Sequence, residues 1–211
     1  MIDTVLSQVA LHLCCGCAKI GALICDNCKY DIILDVYSHC IVCSKLAGRT
    51  RICMQCSVLC ARAWCVGERS GELQRLIDDF KFHNVSSAHI PLAEMLIERL
   101  DELPSNTIVV PVPTVAAHVR QRGYDHALLL ATAVARAHNL KMERAIIRAT
   151  STKQRDASRQ VRVVQAKVAF RVDRSIDPTV PYLIVDDIVT TGEQYSTPPR
   201  PCGRLALNIF G

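Results

Sequence analysis

Between residues 14 and 56 the chain carries four Cys-x-x-Cys pairs: Cys14/Cys17, Cys25/Cys28, Cys40/Cys43 and Cys53/Cys56. The spacers between them are 7, 11 and 9 residues. A Cys-x-x-Cys turn puts two thiolates on one side of a tight loop, and two such turns complete a closed tetrahedral sulfur site for Zn²⁺. Eight ligands suffice for two ions. Sequential pairing is the simple arrangement, with Cys14, Cys17, Cys25 and Cys28 on one ion and Cys40, Cys43, Cys53 and Cys56 on the other; an interleaved pairing satisfies the spacing as well. Disulfides, an iron–sulfur cluster and packed thiols are the competing readings, and the repeated spacing favours zinc over all three. Cys15, Cys60 and Cys65 fall outside the pattern and read as packed thiols. His12 and His39 flank the knuckles and read as surface side chains.

Of 12 cysteines, 11 precede residue 66. A secreted disulfide scaffold would spread them along the chain, so a reducing, cytoplasmic setting is expected. The N-terminal run carries Asp3 and no early Lys or Arg, which does not read as a secretory leader. No stretch reaches the roughly 18 apolar residues of a membrane span. Residues 1–64 are expected to form a small metal-dependent module and residues 65–211 a larger domain. Lysines and aspartates are nearly balanced in the module, so composition makes it a scaffold or docking element rather than a DNA-binding finger. The net charge of +5 permits a polyanionic partner without requiring one.

The larger domain alternates helical and strand patterns, as an α/β fold does. Leu73, Leu76, Ile77 and Phe80 repeat at helical spacing over 72–83. A second helix is expected over about 90–103, with Leu92, Met95, Leu96, Ile97 and Leu100 on one side. Lys81, between them, is expected to be solvated, with an anion contact as the alternative. A connector or strand is expected at 65–69. The β-branched run 107–112 reads as a core strand that ends in Pro111, Val112, Pro113 and Thr114. Arg120 and Arg122 follow, then Gly123 as a turn. From Asp125 an amphipathic helix is expected, with Ala127, Leu128, Ala131, Val134 and Ala135 on its apolar face. From Arg148 to Arg174 eight Lys or Arg face two Asp, which reads as a lid, a nucleic-acid surface or a solvated loop.

The stretch 182–194, YLIVDDIVTTGEQ, carries the chemistry. A short apolar run reads as a buried strand and ends in Asp186 and Asp187. Open α/β sheets bind ligands beyond the carboxyl ends of their strands. Paired carboxylates there can accept hydrogen bonds from sugar hydroxyls. Thr190, Thr191 and Gly192 make a turn whose hydroxyls and backbone N–H groups suit a phosphate. Together these residues describe a ribose-5-phosphate site.

This stretch resembles the phosphoribosyl-pyrophosphate (PRPP) motif of type I phosphoribosyltransferases. Taken with the cysteine knuckles, ELQRLIDDFKFH, VVPVP, RQRGYDHALLLA and TSTKQRDASRQVRVVQAKVAF in that order, residues 14–192 resemble the ComF family of bacterial competence-associated proteins. The resemblance implies a double zinc ribbon, a Rossmann-like parallel sheet of the type I phosphoribosyltransferase kind with a hood, and binding of PRPP with Mg²⁺. It also implies a link to uptake of transforming DNA, with single-stranded DNA and competence helicase-type proteins as partner classes. By resemblance Asp186 and Asp187 hold the ribose. Thr190, Thr191, Gly192, Glu193 and Gln194 take the 5-phosphate, and Pro111, Val112, Pro113 and Thr114 take the pyrophosphate. A transferase acting on an unidentified acceptor is one functional expectation; a non-catalytic accessory protein that binds DNA or a partner is the other.

The chain departs from the family after Gly192. The family continues with Ala-Thr and a helix, whereas here Glu193 places a negative charge beside the phosphate turn. Pro198, Pro199 and Pro201 forbid a helix directly after it. The tail reads as truncated, frame-shifted or replaced, with a last strand expected within 205–210.

Overall fold

The structure is a computed structural model that describes residues 12–41, 43–48, 50–56, 60–148, 170–172, 176–177, 179–188 and 205–209. Its elements in order are helix α1 (Asp26–Leu34), strand β1 (Cys60–Cys65), helices α2 (Gly71–Phe82) and α3 (His89–Arg99), strand β2 (Ile108–Pro111), helices α4 (Ala116–Arg122) and α5 (His126–Ala137), and strands β3 (Lys141–Met142), β4 (Ile146–Arg148), β5 (Phe170–Val172), β6 (Tyr182–Val185) and β7 (Leu205–Ile209). The fold is mixed α/β.

Five strands form one sheet in the order β1-β7-β6-β2-β3, with every neighbouring pair parallel. The chain passes from β2 to β3 on one side of β2, then returns to place β6 and β7 on the other. The winding therefore reverses between β2 and β6. β4 and β5 pair antiparallel as a separate two-stranded sheet, closing the ends of the basic stretch.

The apolar runs of β2 and β6 are continuous because both faces of the sheet are covered. Val109, Leu183 and Val185 join the main core with Leu76, Ile77 and Phe80 of α2, Leu92, Met95 and Leu96 of α3, and Leu130, Ala131 and Val134 of α5. Val110, Tyr182 and Ile184 belong to a second cluster with Ala63, Ile41 and Ala145. Register agrees with this division: Val109 lies opposite Leu183, and Val110 opposite Ile184.

The two cysteine segments take opposite parts in this packing. Cys14 and Ile24 of the first segment lie in the main core, and Cys15 donates its thiol proton to the Glu72 carbonyl of α2. Arg99, at the end of α3, donates to the carbonyls of Ile32 and Ile33 at the end of α1. Those carbonyls have no partner within their own helix. Ile41 of the second segment lies in the cluster on the other side, with Tyr37 and Ile52 packed against it.

Several boundaries differ from the sequence expectation. The strand expected at 65–69 lies earlier, at Cys60–Cys65, and so spans the expected division between residues 64 and 65. α3 stops at Arg99 rather than at 103, with Leu100 already in extended backbone. Asp101, released from the helix, accepts from Arg62 and from Trp64 Nε1. Arg120 and Arg122 lie in α4, and Gly123 ends that helix at φ 81, a left-handed position. On α5 the buried leucine is Leu130, not Leu128.

Candidate functional site

The first candidate centre is the pair of cysteine clusters. The thiols of Cys14, Cys17, Cys25 and Cys28 all lie within 4.8 Å of one another, as do those of Cys40, Cys43, Cys53 and Cys56. The pairing is thus sequential. The sulfurs of Cys17 and Cys25 stand 3.6 Å apart, and those of Cys43 and Cys53 3.5 Å. A tetrahedron with metal–sulfur bonds of about 2.3 Å has edges of about 3.8 Å, so the spacing suits Zn²⁺. The eight residues are free thiols, which sets aside the disulfide reading.

The two knuckles are built alike. Cys14 N–H donates to the Lys19 carbonyl and Ala18 N–H to the Cys14 carbonyl; Cys40 with Lys45 and Ser44 with Cys40 repeat both bonds. Ala18 and Ser44 both take left-handed backbone, at φ 60 and 58. Cys25 N–H donates to Cys14 Sγ at 3.3 Å, and Cys53 N–H to Cys40 Sγ at 3.4 Å. Burial pushes the Cys14 thiol up, but N–H groups of Cys17, Cys25 and Gly16 outweigh it and bring it down to about 6. The thiolate is the form that ligates metal. A Cβ on Gly16 would meet Cys28 Sγ at 2.6 Å and Glu72 Cγ at 2.9 Å, so the first knuckle closes directly on α2. Both clusters are compatible with structural zinc. Cys15, outside the pattern, is raised by burial to about 11 and behaves as a packed thiol.

The second candidate centre is the crevice where the sheet reverses. Pro111 at the end of β2 lies opposite Val185 at the end of β6, and Val112 N–H donates to the Val185 carbonyl at 2.9 Å. The next residues on the two strands, Val112 to Thr114 and Asp186–Asp187, therefore leave the sheet side by side. A cavity of about 510 Å³ opens on the β2 side of these ends, lined by Pro111, Val112, Pro113 and Thr114 and walled by Arg144, Ile147 and Arg148; its lining comes from the β2 loop and the β4 segment, not from Asp186 or Asp187. That volume falls in the range of small-molecule sites.

Each aspartate has a cation near it. Lys81 Nζ pairs with Asp187 Oδ2 at 2.9 Å, with side-chain exposures of 15% and 17%. The expectation of a solvated Lys81 is therefore corrected: its helix turns it inward, towards the end of β6. Arg148 of β4 is pushed down by burial, and the Asp186 carboxylate opposes that shift. Asp186 also accepts from Asp187 N–H at 2.8 Å.

The β2 loop is held from behind. Thr114 Oγ1 donates to Asp125 Oδ1 at 2.7 Å, and the same oxygen accepts from Leu128 N–H at 3.3 Å as the N-cap of α5. His126, next in sequence, is 1% exposed. Its Nε2 lies 3.1 Å from the Phe80 carbonyl, and its Nδ1 lies 3.3 Å from an Arg122 nitrogen. A carbonyl only accepts and a guanidinium only donates. The ring is therefore neutral, with its proton on Nε2. Burial lowers its pKa, with Asp187 working against the shift.

Pro111 to Thr114 and Asp186–Asp187 are thus brought together. Thr190, Thr191, Gly192, Glu193 and Gln194 lie outside the described residues, as do the three tail prolines. Sequence reasoning passed over His126 and Arg148 as individual site residues. The histidine was hidden at the head of an apolar helix, and the arginine in a run of eight basic residues. Among the described residues, the groupings of three or more metal-ligating side chains are the two cysteine sets. Among the described residues no helix is long and apolar enough to cross a membrane. Comparison with protein-family models, with curated proteins and with solved structures finds no match.

Proposed function

We propose that the chain is a ComF-like protein that binds PRPP with Mg²⁺ in the crevice between β2 and β6 and transfers its phosphoribosyl group to an acceptor. One observation carries the reading: the register of β2 on β6, which sets a proline-bounded loop beside two carboxylates where the winding reverses. Crevices at such switch points are where open α/β sheets take their ligands.

In this reading Asp186 and Asp187 accept hydrogen bonds from the ribose hydroxyls and fix the sugar. The loop from Pro111 to Thr114 offers its backbone to the pyrophosphate. Thr190 to Gln194, by resemblance, take the 5-phosphate. Bound Mg²⁺ supplies charge neutralisation on the pyrophosphate and is held mostly by substrate oxygens and water. The protein contributes position and electrostatic stabilisation as the sugar becomes cationic and pyrophosphate leaves. Zinc fills both cysteine clusters and serves structure.

The resemblance extends the reading to uptake of transforming DNA. Single-stranded DNA and helicase-type competence proteins are then the partner classes. Arg155, Arg159 and Arg162 of the basic stretch, which this reading sets against DNA, lie outside the described residues. Calorimetric titration of the zinc-loaded chain with PRPP and Mg²⁺ tests the proposal, and absence of binding overturns it.

A further inference from the structure

The geometry points to Lys81 as a bridging cation of the crevice, one that fixes the Asp187 carboxylate and offers its remaining N–H donors to a diphosphate oxygen of the ligand. The inference rests on reading the crevice as a sugar-polyphosphate site, and it adds a residue from outside both strand-end loops.

Lys81 occupies the last turn of α2, where a cation also complements the helix dipole. Its ammonium is 2.9 Å from Asp187 Oδ2. At 15% exposure its charge has left most of its water behind. An ammonium has three donors, and among the described residues its one acidic partner is Asp187. In this proposal the others donate to the ligand.

Its position says which part of the ligand. Phe80, the residue before Lys81, accepts through its carbonyl from His126 Nε2 at 3.1 Å. His126 and Arg122 belong to the segment that follows the β2 loop, and Tyr124 between them donates to the Phe80 carbonyl at 2.6 Å. The end of α2 that carries Lys81 is therefore tied both to the β6 carboxylate and to the segment that follows the β2 loop. The sugar hydroxyls belong to the carboxylate and the diphosphate to the β2 loop, so Lys81 lies at their junction. Two adjacent carboxylates alone would repel a diphosphate. With Lys81 paired to Asp187, the acid pair is compatible with a polyanion.

A purely structural role for the pair, tying α2 to β6, makes a different forecast, and ligand selectivity separates the two. Inorganic pyrophosphate, ribose 5-phosphate and PRPP, each with Mg²⁺, are titrated into the full zinc-loaded chain and into Lys81→Met and Lys81→Arg. The expected result is a loss of pyrophosphate and PRPP affinity of about tenfold or more in Lys81→Met, as for a lost charged hydrogen bond. Ribose 5-phosphate should change less, and Lys81→Arg should recover most of the loss. Thermal melting checks that each variant is folded. Should Lys81→Met unfold, Lys81→Gln, neutral and polar, takes its place, and the same selective loss of pyrophosphate over ribose 5-phosphate is read there. Equal losses for all three ligands, or none, overturn the inference while leaving PRPP binding intact. Lys81-dependent pyrophosphate binding without PRPP binding sustains it and overturns the larger reading. Binding of neither overturns both.

Discussion

His126 shows how much of this protein is decided by single side chains. Its neutral state is imposed from two directions, by the Phe80 carbonyl at Nε2 and the Arg122 guanidinium at Nδ1. Burial lowers its pKa below the ordinary value of about 6.5. As pH falls, the unfolded chain therefore takes up this proton first. His126 contributes stability that is complete above about pH 6.5 and is lost as pH drops from there towards its lower folded value. Urea unfolding from pH 7.5 to pH 5.5 should reveal a loss of up to about 1.4 kcal/mol per pH unit, one proton's worth, that His126→Gln lacks. Identical pH slopes in the two proteins would contradict the assignment. Residues of this kind are poorly legible in sequence. Lys81 and His126 each look ordinary on a helix, and only the three-dimensional meeting of α2, α5 and β6 turns them towards one place. Asp186 and Asp187 were legible because they follow a short apolar run directly.

At the level of elements, the strands and helices that matter most were readable from pattern. TIVVPV and YLIV have no polar interruption, and both became strands buried on two faces. The helices over 72–83 and from Asp125 follow their 3.6-residue spacing. What pattern did not give was pairing across distance. β4 and β5 are three residues each and are separated by 21 residues, so no local signal joins them. Nor did pattern give the link between the β2 loop and α5. Asp125 makes that link, since one carboxylate oxygen accepts from both Thr114 and Leu128. Asp125→Ala should lower stability by about 1–2 kcal/mol in urea unfolding, as loss of an N-cap does. Asp125→Asn keeps an acceptor and should lose much less. If Asp125→Ala is as stable as its parent, the loop is not held in this way.

The whole molecule couples its cysteine clusters to its sheet, but unequally. The first cluster lies in the main core, touches α2 through Gly16 and Cys15, and is clamped by Arg99 to the end of α3. Lys29 adds an ion pair to Glu94 of α3. The second cluster reaches the smaller core through Ile41. The sequence showed eight candidate ligands at paired spacing; it could not show how they group, nor which cluster the larger core depends on, because that depends on which face of the sheet each segment covers. Elemental analysis should find two zinc ions per chain, and one in each of Cys17→Ser and Cys43→Ser. Cys17→Ser should melt lower than Cys43→Ser by at least roughly 5 °C, about 2 kcal/mol at this size. Equal melting temperatures would contradict the unequal coupling. The crevice stands at the other end of this argument, because it exists only where β2 and β6 are neighbours. Its ligand is the central claim, and titration with PRPP and Mg²⁺ tests it most directly. The account predicts one site per zinc-loaded chain, with affinity reduced by roughly tenfold to a hundredfold in Asp186→Asn/Asp187→Asn as charged hydrogen bonds are lost. No binding by the parent chain, or equal binding by the double variant, would contradict it.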